Sequence, residues 1–280
     1  MIAFSDQGGL KMNSNRFRIL ACLILSPLFF WTVCDRAAAE VIAVPSGNPG
    51  ASPTLTLYWQ GAGSRAVLIL IPGGEGQLNL RAGQLDVGNQ FYQTLKRLSQ
   101  GSNPREILDV VLFDSPERLA NAKSYPTSRA TTDHLSRIGD VIRFYRETTG
   151  KPIWLMGHSN GAVSVTEYVR YARKLGQNNA IAGLIVSGPR DVAYFDTAPL
   201  DLPILFMVHR KDGCPATDQT GPSGNFKKVQ SLDRAQTSFV YIETGSPEAT
   251  SPCSSGYHMY NGATQEVVTT LRTFIVPFLQ

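Results

Sequence analysis

Charge is scarce in this chain of 280 residues. Only 17% of its side chains are Asp, Glu, Lys or Arg, against about 25% in an average soluble domain. The formal net charge is +4 and the Lys and Arg are scattered, which leaves no electrostatic footprint for nucleic acid. No internal repeat and no low-complexity tract is present, so solenoids and disordered tails are excluded. No group of His, Cys and carboxylates has the spacing of a metal site. The glycine-rich turn Pro72-Gly73-Gly74-Glu75-Gly76 lacks the Lys and hydroxyl that complete a phosphate-binding loop. Nothing in these patterns calls for a cofactor or a metal.

Cysteine is scarce as well. There are four, and Cys22 and Cys34 fall in an N-terminal stretch that reads as a leader. Arg16 and Arg18 precede the apolar run Ile19 to Val33, and Ala37-Ala38-Ala39 follows with the small residues a signal peptidase requires. Residues 1–39 are therefore expected to be a cleavable signal peptide cut before Glu40, with Met12 an alternative start. An uncleaved membrane anchor and a lipoprotein attached through Cys34 are the competing readings. Pro27 interrupts the apolar run and bulky Trp31 and Val33 precede Cys34, which counts against both. Residues 1–39 hold four basic and two acidic side chains, so the mature chain carries +2. It is expected to be periplasmic or secreted, with no stable membrane association once cleaved. Export also gives the two remaining cysteines, Cys214 and Cys253, an oxidising compartment.

What the chain does have is hydrophobic content, 42%, enough for one sizeable core. From Thr54 onwards strand and helix signals alternate, the pattern of a mostly parallel sheet between helical layers. Thr54 to Gln60 reads as a leading edge strand. Ala66–Ile71, Ile107–Phe113, Ile153–Met156, Ile181–Val186, Pro203–Val208 and Thr237–Ile242 are short apolar runs, as expected of strands covered on both faces. Helical spacing recurs over Val87 to Leu98, Leu135 to Tyr145, Ala162 to Ala172 and Val267 to Ile275. Thr131 or Thr132 is placed to cap the second of these helices, and Gly150 to end it. Asp114 to Ala130 reads as a long polar loop.

The most informative segment is Gly157-His158-Ser159-Asn160-Gly161, after one apolar run and before a helical pattern. It reads as a nucleophile elbow, a strand-to-helix turn that strains the serine backbone and exposes its hydroxyl above the sheet. The flanking glycines are needed because side chains there would collide across so tight a bend. The bland reading is a turn serine without chemistry, and the surroundings of the motif decide between the two.

Strand, elbow, helix, then an acid and a histidine after later strands resemble the α/β-hydrolase superfamily over roughly Thr54 to Leu279. The resemblance implies a single α/β-hydrolase domain over residues 40–280, with a mostly parallel central sheet, helices on both faces and no large lid, since only 14 residues separate Ser187 from Leu202. It implies Ser159 as nucleophile, because a serine hydroxyl needs a base within reach and a group orienting that base. His258, between the last strand and the last helix, takes the position of the base. His158 would point away inside the elbow, His134 is expected to be solvated at a helix start, and His209 ends the strand that leads to the acid. Asp212 takes the position of the acid, with Asp191 and Asp196 after the preceding strand as alternatives. The oxyanion donors would be the amides of Asn160 and of Gly74, or of Glu75 one residue on. If Asp212 and His258 meet, the loops carrying Cys214 and Cys253 converge and a disulfide between them follows.

Tyr125 and Arg129 are candidate wall contacts, and Arg118 with Arg129 suggests an anionic acyl group, each set against the plainer reading of a solvated loop. The expected activity is an esterase acting on a small-molecule ester or acyl substrate through an acyl-enzyme. A serine peptidase or acyltransferase with the same triad, and a non-catalytic hydrolase-fold binding protein, are the alternatives.

Overall fold

A computed structural model describes residues 39–120, 127–178, 180–193, 195, 201–217, 220–231, 236–247 and 251–279. Residues 1–38, which hold all but the last residue of the expected leader, and Tyr125 and Asp196 lie outside the described residues.

Eight strands form one sheet in the order β1-β2-β4-β3-β5-β6-β7-β8. They are β1 (Ala39–Val44), β2 (Thr54–Trp59), β3 (Val67–Ile71), β4 (Asp109–Asp114), β5 (Ile153–His158), β6 (Gly183–Ser187), β7 (Ile204–His209) and β8 (Thr237–Ile242). β2 runs antiparallel to both β1 and β4, and every later pairing is parallel. The helices are α1 (Gln90–Lys96), α2 (Thr132–Thr149), α3 (Asn160–Lys174), α4 (Thr220–Gln230) and α5 (Thr264–Ile275).

The parallel strands alternate their side chains between two dry layers. Val67, Ile69, Ile153 and Leu155 pack with α2 and α3 on one face. Leu68, Leu70, Trp154 and Met156 pack with α1 and α5 on the other. Burial on both faces is why β3 and β5 open as uninterrupted apolar runs. Helix α2 starts as expected, with Thr131 Oγ1 accepting from the His134 amide, and ends at Gly150, whose φ of 67° suits glycine.

Two expectations change. Thr54 to Gln60 is not an edge strand: β1 pairs outside it along its whole length, so β2 is internal and β1 holds the edge. Helix α4 also appears where no helical pattern was read, because Gly221, Pro222 and Gly224 crowd its start.

Strand order positions the site. The chain passes from β3 to β4 on one side and then to β5 on the other side of β3. Where direction reverses, the loops leaving the carboxyl ends of β3 and β5 diverge and leave a crevice between them. The Pro72-Gly73-Gly74 turn and Ser159 stand at those two strand ends. At the opposite end of β4, buried Asp109 accepts from Ser64 Oγ at 2.6 Å, the Gly61 amide at 2.8 Å, Tyr58 Oη at 3.0 Å and Lys151 Nζ at 2.7 Å.

Candidate functional site

Ser159 has φ 55° and ψ −122°, a conformation costly for any residue with a side chain, and its amide donates to the Ser187 carbonyl at 2.9 Å. The two elbow glycines have no substitute. A Cβ on Gly157 would lie 2.3 Å from the Gly161 carbonyl oxygen, and one on Gly161 2.0 Å from that of Ile71. The β3 turn passes as closely: a Cβ on Gly73 would lie 2.8 Å from the Ser159 Cβ. This closeness brings the backbone of the glycine turn beside the serine.

Asp212 and His258 meet. His258 Nδ1 lies 2.8 Å from Asp212 Oδ2, and both side chains are almost wholly buried. The other carboxylate oxygen accepts from the Cys214 amide at 2.9 Å, and Thr217 Oγ1 stands 3.3 Å from His258 Nδ1. With Nδ1–H donated to the carboxylate, Nε2 carries the lone pair. That nitrogen is buried and has no hydrogen-bond partner among the described residues. No hydrogen bond joins it to Ser159 Oγ here, and such contacts are commonly long before substrate binds. Asp191, the alternative acid, is exposed and faces its neighbour Arg190.

The other histidines are accounted for by packing. His158 is completely buried, its Nδ1 3.1 Å from Ser187 Oγ and its Nε2 3.3 Å from Met259 Sδ. Burial, then the adjacent His258, hold its pKa well below the ordinary value. Ser187 Oγ continues to Tyr260 Oη at 3.0 Å, which donates to the Met207 carbonyl at 2.9 Å, so a polar chain runs beneath the site. His209 bonds the Thr244 carbonyl at 3.0 Å and stacks on Tyr257. His134, expected to be solvated, is instead 2% exposed. The first turn of α2 lies against α3, where its Nε2 meets Ser164 Oγ at 2.9 Å, and burial pushes its pKa down to about 3.

Arg129 is the larger correction. It is not a wall contact for substrate but is 0% exposed, beneath the glycine turn. Nη1 donates to the Pro72 carbonyl at 3.2 Å and to Ser164 Oγ at 2.9 Å. Nη2 donates to the carbonyls of Gly73 at 3.3 Å and Gly74 at 3.0 Å. Desolvation lowers its pKa to about 9. A lone arginine in a polar loop has no periodic signal that marks it as buried. Arg118 is exposed and paired with Glu75. The anionic-acyl expectation loses both its cations.

Gly74 has φ 54°, and Asn160 Nδ2 donates to its carbonyl at 2.9 Å. Asp114, at the end of β4, accepts from the Leu78 and Leu80 amides at 2.6 and 2.7 Å and fixes the chain that follows. A cavity of about 200 Å³ opens at Ser159, lined among others by Gly74, Gln77, Tyr92, Cys253 and Met259. A cavity of about 600 Å³ between α2 and α3, lined by Arg143, Arg146, Tyr168 and Tyr171, is larger but is lined by neither Ser159 nor His258. Cys214 and Cys253 are bridged, with Cα atoms 4.6 Å apart. Among the described residues no group of three His, Cys, Asp or Glu could hold a metal, and no helix is long and apolar enough to cross a membrane.

Similar architectures occur among solved structures. Dienelactone hydrolase from Anabaena variabilis superposes with a TM-score of 0.58 at 13% identity, covering 87% of this chain and 99% of that one. An α/β serine hydrolase without lid from Xanthomonas campestris gives 0.54 at 13% identity, covering 90% and 98%. The chain has the α/β-hydrolase fold. An esterase from Pyrobaculum calidifontis with this hydrolase fold gives 0.57 at 12% identity, covering 85% and 83%. No family model and no curated sequence matches the chain. The hydrolase fold here carries no large lid: 16 residues link β6 to β7, and those described among them contain no helix.

Proposed function

We propose that this protein is an exported serine hydrolase that cleaves small carboxylic esters through an acyl-enzyme. The observation that carries the reading is the buried Asp212–His258 pair with Nε2 unengaged, on the same edge of the sheet as a serine held in a strained elbow. Ser159 Oγ attacks the ester carbonyl while His258 Nε2 takes its proton. Asp212 keeps the tautomer and stabilises the imidazolium. The developing oxyanion takes the amides of Asn160 and Gly74, and the alkoxide leaves with the proton from His258. Water then repeats the sequence on the acyl-enzyme. Side chains and backbone amides suffice for every step.

The site cavity of about 200 Å³ is below the range of about 300–1,000 Å³ usual for drug-sized ligands, which favours a short acyl group. The dienelactone hydrolase and esterase named above support an ester over an amide. A leader ahead of β1 and a disulfide agree with export, and cleavage before Glu40 would leave Glu40–Val44 to pair with β2.

The test is labelling by a fluorophosphonate probe together with turnover of short-chain nitrophenyl esters, both expected in the parent and absent in Ser159→Ala. Labelling that persists in the variant defeats the assignment of the nucleophile. Faster turnover of amides or of acyl transfer to an alcohol moves the activity to a peptidase or an acyltransferase. No labelling and no turnover across the panel leaves a binding protein.

A further inference from the structure

A buried guanidinium with no carboxylate in contact is expensive, because its charge loses water and gains no counter-charge. Arg129 is such a group: each of its hydrogen-bond acceptors among the described residues is neutral, three backbone carbonyls and one hydroxyl. Those four acceptors match the four Nη hydrogens of the fork. A neutral donor would satisfy carbonyls without that desolvation cost, so the charge itself needs a reason.

The three carbonyls belong to consecutive peptides, Pro72, Gly73 and Gly74. In a trans peptide the N–H points opposite to the C=O. Holding those carbonyls therefore turns the N–H groups of Gly73, Gly74 and Glu75 away from Arg129. The Gly74 and Glu75 amides donate to no acceptor among the described residues, and both residues line the cavity with Ser159. The cation stands at the carbonyl ends of the peptide dipoles and the cavity at their N–H ends.

We infer that Arg129 is a positioning residue for the oxyanion loop, aiming the amides after Pro72 at the reacting carbonyl and adding its positive charge behind them. The inference rests on the proposed hydrolase reading. It accounts for a buried cation on the site edge of β3 that is bonded to backbone carbonyls rather than to an acid. Its effect belongs to the transition state, because the negative charge it complements is absent in the bound ester. Lysine keeps the charge but has no planar fork, so it cannot hold all four acceptors at once. Methionine keeps the volume and loses both.

The experiment measures kcat and KM separately for Arg129→Met and Arg129→Lys on a short-chain nitrophenyl ester, with a thermal melt of each. The expected result is a kcat lowered about 100-fold for Met and about 10-fold for Lys, with KM within about threefold, as for loss or misplacement of an oxyanion donor. Affinity for a boronic acid analogue of the tetrahedral intermediate should fall in step with kcat/KM. A folded Met variant with kcat within twofold of the parent, or a loss carried by KM alone, overturns the inference. If Met fails to fold, Lys decides by the twofold criterion. If neither folds, Ser164→Ala decides: it removes one acceptor of the fork, a kcat lowered about threefold at unchanged KM supports the inference, and an unchanged kcat overturns it. A parent that neither hydrolyses esters nor reacts with fluorophosphonate refutes the hydrolase reading, and this inference with it. A working parent with indifferent Arg129 variants refutes the inference alone.

Discussion

Removing the Cys214–Cys253 bridge should cost both stability and rate, by separable amounts. The bridge closes a loop with a sequence separation of 39. Chain-entropy arithmetic for that length gives about 4 kcal/mol at 25 °C. For a domain of this size, that corresponds to a melting temperature lowered by about 8–16 °C. The perturbation suited to the local environment is Cys214→Ala with Cys253→Ser, since Cys214 is 3% exposed while Cys253 is exposed and tolerates a hydroxyl. The rate effect has its own cause. Asp212 Oδ1 accepts from the Cys214 amide, so the acid is oriented by the residue that carries the bridge, and Cys253 forms part of the cavity wall. Loosening both loops should lower kcat about tenfold. The assays are a melt followed by fluorescence and ester turnover measured well below the variant's midpoint. Parent protein treated with a phosphine reductant should move in the same direction, because Cys253 is exposed. A midpoint within about 3 °C of the parent, or full kcat at low temperature, would refute the reasoning, and intact mass showing two free thiols in oxidised protein would refute the bridge.

Acidification should weaken the fold beyond what carboxylates alone produce. His134 has a folded pKa near 3 against about 6.5 when unfolded. Between those values the unfolded chain binds a proton that the folded one refuses, so stability rises with pH by about 1.4 kcal/mol per unit and is lost as pH falls below 6.5. His158 acts in the same sense. Urea midpoints at pH 7, 6, 5 and 4 should show the slope, and His134→Gln should flatten it; an unchanged slope in that variant would show that His134 does not titrate in this way. Asp109→Ala should destabilise by about 3–5 kcal/mol, because Lys151 loses its counter-charge and keeps only Ser64 Oγ, while Ser64, Gly61 and Tyr58 lose their acceptor. Chemical denaturation measures that loss, and a cost under about 1 kcal/mol would mean that the pocket is hydrated on truncation.

The inner parallel strands are the most legible part of the chain because both of their faces are dry, which forbids polar interruptions. The edge strand β8, half-buried, coincides to the residue with the run Thr237–Ile242 expected from the sequence. β1 was missed because it pairs on one side only and its sequence, Ala-Glu-Val-Ile-Ala-Val, begins where the leader was expected to end. Helix α4 was missed because its apolar contacts, Phe226 and Val229, follow a start dense in glycine and proline. The strand-end positions of Ser159, Asp212 and His258 are legible because each follows a strand whose place in the sheet is set by chain order. Arg129 and His134 could not, since their burial depends on which helix and turn cover them. A fold of this kind sets its strand-end positions by topology and supports them by contacts that leave no local trace.

Asp109 and Lys151 lock one rim of the sheet, and Ser159, Asp212 and His258 stand at the other. None of the partners of Asp109 named above lines the cavity at Ser159. On the proposed hydrolase reading, specificity can therefore drift, or be redesigned, by exchanging the segments around Gln77, Tyr92 and Ser254 without drawing on the reserve of stability held at the far rim, and ballast added at that far rim should make more drastic exchanges survivable.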